Sequence, residues 1–191
     1  GNFVATFTTT ASAQKTDAQL TAEELAAKKV EVIGKLDEAK ARYAEADYRE
    51  AQWKNITDAY DAAKNGINAV TDIANLPGTF VADFTTVADA QPTDADLIAD
   101  ELAAKKAEVI RTLDTEYAKY KESDYRAAEW TRITDAYNTA KNGINAVTVI
   151  TALPGNFVAT FTATASTQKT NAQMTAEELA AKKVEVIGKL D

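Results

Sequence analysis

The sequence predicts a mainly α fold built as a tandem array of long antiparallel helical hairpins, each with one extended, Phe-containing segment as a third leg. Three observations carry that expectation. Gly1, Gly78 and Gly155 occupy equivalent places in a gapless period of 77 residues, and a period of that kind signals units that bury apolar surface against neighbours. Apolar residues recur at helical spacing over most of each unit. The composition, 46% hydrophobic with much alanine, 26% charged and only 7 Gly and 3 Pro in 191 residues, suits narrow helical bundles.

The period gives repeat unit 1 as residues 1–77, unit 2 as 78–154 and a third copy, 155–191, that stops at Asp191, the counterpart of Asp37 and Asp114. The chain therefore reads as a window on a longer array. Over their shared span the third copy departs from the first only at Ala163, Thr167, Asn171 and Met174. The second copy departs from both more often, as at Asp83, Val87, Pro92, Ile98 and Arg111.

Within a unit, the spacing predicts a first helix from Thr16 to Ala46. Thr16 and Gln19, and Thr21 and Glu24, have the spacing of a capping box; Thr93 is retained in the second copy, where Ile98 replaces the later threonine, so the earlier cap marks the general start. Ala22, Leu25, Val32, Leu36, Ala39, Tyr43 and Ala46 form one apolar stripe widened by Ile33. Glu24 with Lys28, Glu31 with Lys35 and Glu38 with Arg42 are acid-to-base pairs four residues apart on the solvent side. Asp47, followed by Glu50, then reads as the N-cap of a second helix, weaker in the second copy, where Asp124 is followed by Ala127.

Trp53, Ile56, Tyr60, Ala63, Ile67 and Val70 form an uninterrupted heptad seam that recurs at Trp130, Ile133, Tyr137, Ala140, Ile144 and Val147. Of these, Trp53, Ile56, Tyr60, Ile67, Trp130, Ile133, Tyr137 and Ile144 are assigned to the core. Asn65-Gly66 and Asn142-Gly143 interrupt it only in composition. The preferred reading is one helix continuing through a glycine that costs about 1 kcal/mol relative to alanine; the alternative is a break with a short helix from Ile67 to Leu76. Pro77-Gly78 closes the element.

From Gly78 to about Gln91, Phe80, Ala82 and Phe84 alternate with Val81 and Asp83, and threonines follow, so the segment reads as extended and half-buried. Phe3, Phe7, Phe80, Phe84, Phe157 and Phe161 are accordingly candidates for coupling repeats or chains, by pairing at a strand edge or by strapping their own hairpin. About 14 residues at ~3.3 Å each span about as far as a 30-residue helix at ~1.5 Å per residue. A returning leg would put entry and exit at opposite ends and make a stalk, which is preferred to a side-by-side solenoid.

Asp47-Tyr48 followed by Trp53, Ile56, Tyr60 and Ala63, and Asp124-Tyr125 followed by Trp130, Ile133, Tyr137 and Ala140, resemble the FIVAR-type repeats of bacterial surface proteins over about half of each unit. The shared features are an Asp-Tyr turn, a tryptophan five residues after the tyrosine and an alanine-rich apolar helix. The resemblance implies an extracellular, cell-wall-associated array with adhesion or glycan binding, and the family's fold has three helices. Here the Phe-rich extended segment takes the place of the third.

With 29 acidic against 21 basic residues, net charge −8 and no Lys/Arg cluster, nucleic acid is not expected as a partner. No stretch reaches the ~20 apolar residues of a membrane span, so membrane insertion is not expected either. Neither Cys nor His occurs, which excludes Ser-His and Cys-His catalysis, thiolate or imidazole metal sites and disulfides. Asp94-Ala95-Asp96 lacks the oxygen density of a calcium loop and reads as helix N-terminal charge. No enzyme, cofactor or metal is expected. The expected partners are neighbouring repeats of the same chain and identical chains in a filament. The functional expectation is a structural repeat of a bacterial surface protein or extracellular filament; the alternative is an adhesin module for a glycan or host protein, with Tyr48 and Tyr125 at the turn as its binding candidates.

Overall fold

A computed structural model describes residues 17–189. Seven α-helices are present among them: α1 (Asp17–Lys40), α2 (Glu50–Ala69), α3 (Phe80–Asp89), α4 (Asp94–Tyr117), α5 (Ala127–Ala146), α6 (Phe157–Ser166) and α7 (Asn171–Ile187). Short 3₁₀ turns at Glu45–Asp47, Ile73–Asn75, Glu122–Asp124 and Ile150–Ala152 join the longer helices. No strand occurs among the described residues; one isolated antiparallel bridge joins Tyr125 and Thr170. Contacts divide the chain into two units, Gly1–Leu97 and Ile98–Asp191.

In the first unit α1, α2 and α3 enclose a core of Val32, Leu36, Ala39, Ile56, Ala63, Ile67, Leu76, Phe84 and Ala88. In the second, Val109 and Leu113 of α4, Ile133, Ala140 and Ile144 of α5, Leu153, and Phe161 and Ala165 of α6 form the equivalent cluster. No polar or charged residue is buried in either, so apolar burial, at roughly 25 cal/mol per Å², is the main stabilising term. The seam residues Ile56, Ile67, Ile133 and Ile144 are fully buried, while Trp53, Tyr60, Trp130 and Tyr137 pack on the core from its margin.

The third leg differs from the expectation. Residues 80–89 and 157–166 are helical, not extended, and the strand-pairing reading of this segment falls with it. Phe80, Phe84 and Ala88 are four residues apart, so a helix gathers them on one face, which the bundle covers. The threonines that favoured a strand bond back into the helix: the Thr85 and Thr86 hydroxyls donate to the Ala82 carbonyl at 3.0 and 2.8 Å. The unit is thus a bundle of three helices rather than a hairpin with an extended leg. Phe3 and Phe7 lie outside the described residues.

The packing unit is also offset from the period as framed from glycine to proline. α3 falls in the second sequence copy, yet Phe84 packs between Tyr43 and Tyr60, with ring centroids at 5.8 and 6.2 Å in edge-on geometry. Four residues, 90–93, separate α3 from α4.

Helix ends were shorter than the stripes implied. α1 stops at Lys40, not Ala46, and Asp47 belongs to a 3₁₀ turn instead of capping α2, whose N-cap is Arg49 without a side-chain cap bond; Arg126 does the same for α5. The 3₁₀ turn brings Tyr48 and Arg49 into extended backbone, and this displaces the cap by two residues. Of the expected threonine caps, Thr21 lies inside α1, where its hydroxyl donates to the Asp17 carbonyl at 2.8 Å instead of capping, and Thr16 lies outside the described residues, but the counterparts of Thr16 cap their helices. The Thr93 hydroxyl accepts from the Asp96 amide at 3.2 Å while the Thr93 amide donates to Asp96 at 3.0 Å, and Thr170 with Gln173 forms a full capping box.

α2 runs unbroken through Gly66 but ends at Ala69, so the seam stops there and Leu76 reaches the core from the following connection. A 3₁₀ turn, a cis Leu76-Pro77 peptide and Gly78 at φ +56° then reverse the chain into α3; Leu153-Pro154 and Gly155 repeat this. Gly66 has a packing reason that the sequence reading missed. A Cβ built there would lie 2.7 Å from Cε1 of Phe80, and at Gly143 2.7 Å from Cε1 of Phe157. The glycine is the seat of the phenyl ring at the start of the third helix.

Candidate functional site

The Tyr-turn-Trp corner is the first candidate. The 3₁₀ turn lays Tyr48 on Trp53, with centroids 6.4 Å apart and planes at 25°, and Tyr125 on Trp130 at 6.4 Å and 26°. All four rings are half-buried, and burial pushes the pKa of the Tyr48 and Tyr125 phenols up from the ordinary value by disfavouring the charged form. These tyrosines pack over the tryptophans of their own bundle, leaving only part of each ring to solvent.

The two corners differ at one residue of the first helix. In the first unit Lys40 places its ammonium 4.3 Å from the Tyr60 ring centroid and 5.8 Å from that of Trp53. In the second, Tyr117 takes that place and stacks on Tyr137 at 4.3 Å and Trp130 at 5.7 Å. A cation over aromatic faces in one copy becomes an all-aromatic stack in the other.

The second candidate is a groove between the second and third helices of each bundle, which the sequence reading did not single out. In the second unit it encloses about 630 Å³, floored by Phe157, Phe161 and Gly143 and edged by Arg132, Asp135 and the hydroxyls of Thr139, Thr160 and Thr164. Its first-unit counterpart, among Ala59, Ala62, Ala63, Phe80, Asp83, Phe84 and Val87, holds about 280 Å³. In that unit the Asn55 amide of α2 donates to Gln91, just after α3, at 3.0 Å. In the second unit Arg132 replaces Asn55 and lies 4.0 Å from Glu129, while the Gln168 amide donates to the Thr164 carbonyl at 3.0 Å, as Gln91 does to Val87 at 3.1 Å. The signal was present in the sequence as five exchanges along the lining: Arg132 for Asn55, Thr139 for Ala62, Asn156 for Thr79, Thr160 for Asp83 and Thr164 for Val87.

The four aromatic assembly candidates among the described residues, Phe80, Phe84, Phe157 and Phe161, lie inside the bundles. Phe84 and Phe161 are among the most buried side chains, and Phe80 and Phe157 are half-buried on the same cores. Phe161 meets Tyr120 and Tyr137 edge-on at 5.9 and 6.3 Å. Asp94 takes an ion pair from Arg49 at 2.6 Å, and Asp96 belongs to the Thr93 cap. Among the described residues no three acidic side chains converge as a metal site, and no helix is long and apolar enough to cross a membrane. No family model, curated protein or solved structure matches the chain.

Proposed function

We propose that this chain is a structural tandem repeat of a bacterial surface protein or extracellular filament, a spacer whose action is mechanical and not catalytic. The observation that carries the reading is the third helix. It gives each repeat a complete three-helix bundle with its own apolar core, and the next repeat's first helix starts after only residues 90–93. Closed units on short connections add length with copy number. The third helix also removes the one feature in which the sequence departed from the FIVAR-type pattern, and this supports the extracellular, wall-associated setting. The test is to insert further 77-residue copies and measure the maximum dimension by small-angle scattering. A constant increment per copy is expected; a dimension that stops growing refutes the spacer.

A second reading, an adhesin module for a glycan, is favoured by the groove of the second unit. Hydroxyls, an Arg132 guanidinium and the Asp135 carboxylate around a phenyl floor are the donors, acceptors and apolar face that a sugar ring engages. Glycan-array binding lost in Arg132→Ala and Thr160→Val would support it; binding unchanged by both, or none at high concentration, removes it.

A further inference from the structure

The corner where the 3₁₀ turn leads into the second helix meets more than the rings of its own bundle. Arg49, the residue before α2, donates through Nε to Oδ1 of Asp94 at 2.6 Å, and Asp94 is the first residue of α4. The chain leading up to it is tied down as well. The Tyr43 hydroxyl donates to Asp89 at the end of α3, and the Asn55 amide of α2 donates to Gln91 at 3.0 Å. Residues 90–93, which join α3 to α4, are thus held at both ends by side chains of the preceding repeat. Arg49 and Asp94 belong to one compact unit, which runs to Leu97.

The second unit brings the same elements together with different chemistry. Asn171 stands where the second copy has Asp94, so the first position of α7 offers Arg126 no charge. Its amide instead donates to the Ser123 carbonyl, in the 3₁₀ turn, at 3.0 Å. Arg126 reaches two turns further along α7, from Nη1 to Oε1 of Glu178 at 2.6 Å. Tyr125 forms the isolated antiparallel bridge with Thr170, the residue that caps α7. These residues too lie within one compact unit. The partner atoms are exchanged between copies and the contact survives, so the juxtaposition does not depend on a single ion pair.

We infer that this corner, Tyr48-Arg49 and Tyr125-Arg126, is an interaction surface whose partner is the opening of the next repeat's first helix, and that the two arginines are its positioning residues. The coupling role expected of the phenylalanines passes to it, because Phe80, Phe84, Phe157 and Phe161 pack in the cores. The chemistry suits a helix start. Carboxylates are favoured in a first turn by the helix dipole, and a guanidinium facing one adds a charge-assisted bond. Asp94 and Asp96 are the acids of that turn in α4. The Asp96 and Leu97 amides bond to the Thr93 hydroxyl and carbonyl at 3.2 and 3.1 Å. With Asp94 held by Arg49, these bonds open less often, so each repeat steadies the helix start of its successor.

The inference rests on reading the copies as serial units, but its test is separate: exchange at a helix start can stay unchanged while length still grows with copy number. Amide hydrogen exchange is followed by NMR on the full chain. Arg49→Met keeps the apolar stem and removes the charge. Exposed ion pairs shift a local equilibrium about two- to fivefold, so exchange at Asp96 and Leu97 should accelerate by that factor while Ile56 and Ile67 stay protected. Arg126→Met should do the same at Gln173 and Met174, whose amides bond to Thr170. The effect of Arg49→Met should shrink in about 1 M salt, where the Debye length is ~3 Å, and in an Asp94→Ala background. Lys54→Met, which removes the exposed Lys54–Asp58 pair within α2, should leave Asp96 and Leu97 as they are. The inference is overturned if neither arginine substitution alters the helix start it meets, if Arg49→Met acts as strongly in the Asp94→Ala background, or if Ile56 and Ile67 accelerate equally, which would confine Arg49 to its own bundle.

Discussion

Replacing Gly66 by alanine sets two known effects against each other. In an exposed helix interior the change should stabilise by about 1 kcal/mol, since glycine gives up more backbone freedom than alanine. Here the new Cβ would lie 2.7 Å from Cε1 and 3.1 Å from Cδ1 of Phe80, well inside van der Waals contact. The ring cannot slide freely away, because Gly78 bounds its other edge and a Cβ there would be 3.1 Å from Cε2. Overpacking of this kind costs about 1–3 kcal/mol, so the net effect expected of Gly66→Ala is a loss of up to about 2 kcal/mol. Phe80→Ala removes the obstacle, and in that background Gly66→Ala should become stabilising by about 1 kcal/mol. The sign change is a double-mutant coupling of about 1–3 kcal/mol. Urea unfolding followed by tryptophan fluorescence reads it cleanly. Trp53 and Trp130 are the two tryptophans of the chain, so a Trp130→Phe background reports the first unit alone. Gly66→Ala stabilising equally with and without the Phe80 ring would refute the seat.

Two further outcomes follow from the cores and the phenols. Phe84→Ala should cost about 3–5 kcal/mol in the Trp53 transition, since its ring contacts, Tyr43 and Tyr60, are in the first unit; a loss seen only through Trp130 would contradict that placement. The Tyr43 phenol, which donates to Asp89, is pushed up to about 12 by burial and then by that carboxylate. Its folded value exceeds the unfolded one near 10, so the unfolded chain loses the proton first and stability falls as pH rises between about 10 and 12. Tyr43→Phe should flatten that fall in the urea midpoint, and an unchanged slope would show that Tyr43 does not contribute.

The first two helices were legible because their stripes are long and their period admits one reading. Val32, Leu36, Ile56 and Ile67 all reach the core as expected. The third was misread because ten residues give two periods at once: Phe80, Ala82 and Phe84 alternate, while Phe80, Phe84 and Ala88 are four apart. Local preference, weighted by Thr85 and Thr86, pointed to a strand, and tertiary burial chose the helix. The seat at Gly66 and the groove beside Arg132 depend on which residues of separate helices meet, and no spacing within one helix encodes that. The cap at Asp47 failed for a related reason, since a tight 3₁₀ turn and a cap box use the same residue types.

The offset between period and bundle bears on how copies can be gained or lost at the level of the gene. Recombination between neighbouring copies that removes 77 residues in register rejoins a helix to its own counterpart wherever the crossover falls, so every stripe and turn stays in phase. A junction inside α1, for example, would yield a hybrid of α1 and α4 with Val32 or Val109 still facing the same seam. Copy number can therefore drift without passing through a misfolded intermediate. A fragment cut at Pro77, in contrast, would separate α2 from Phe84 and Ala88 and open the core that those residues close.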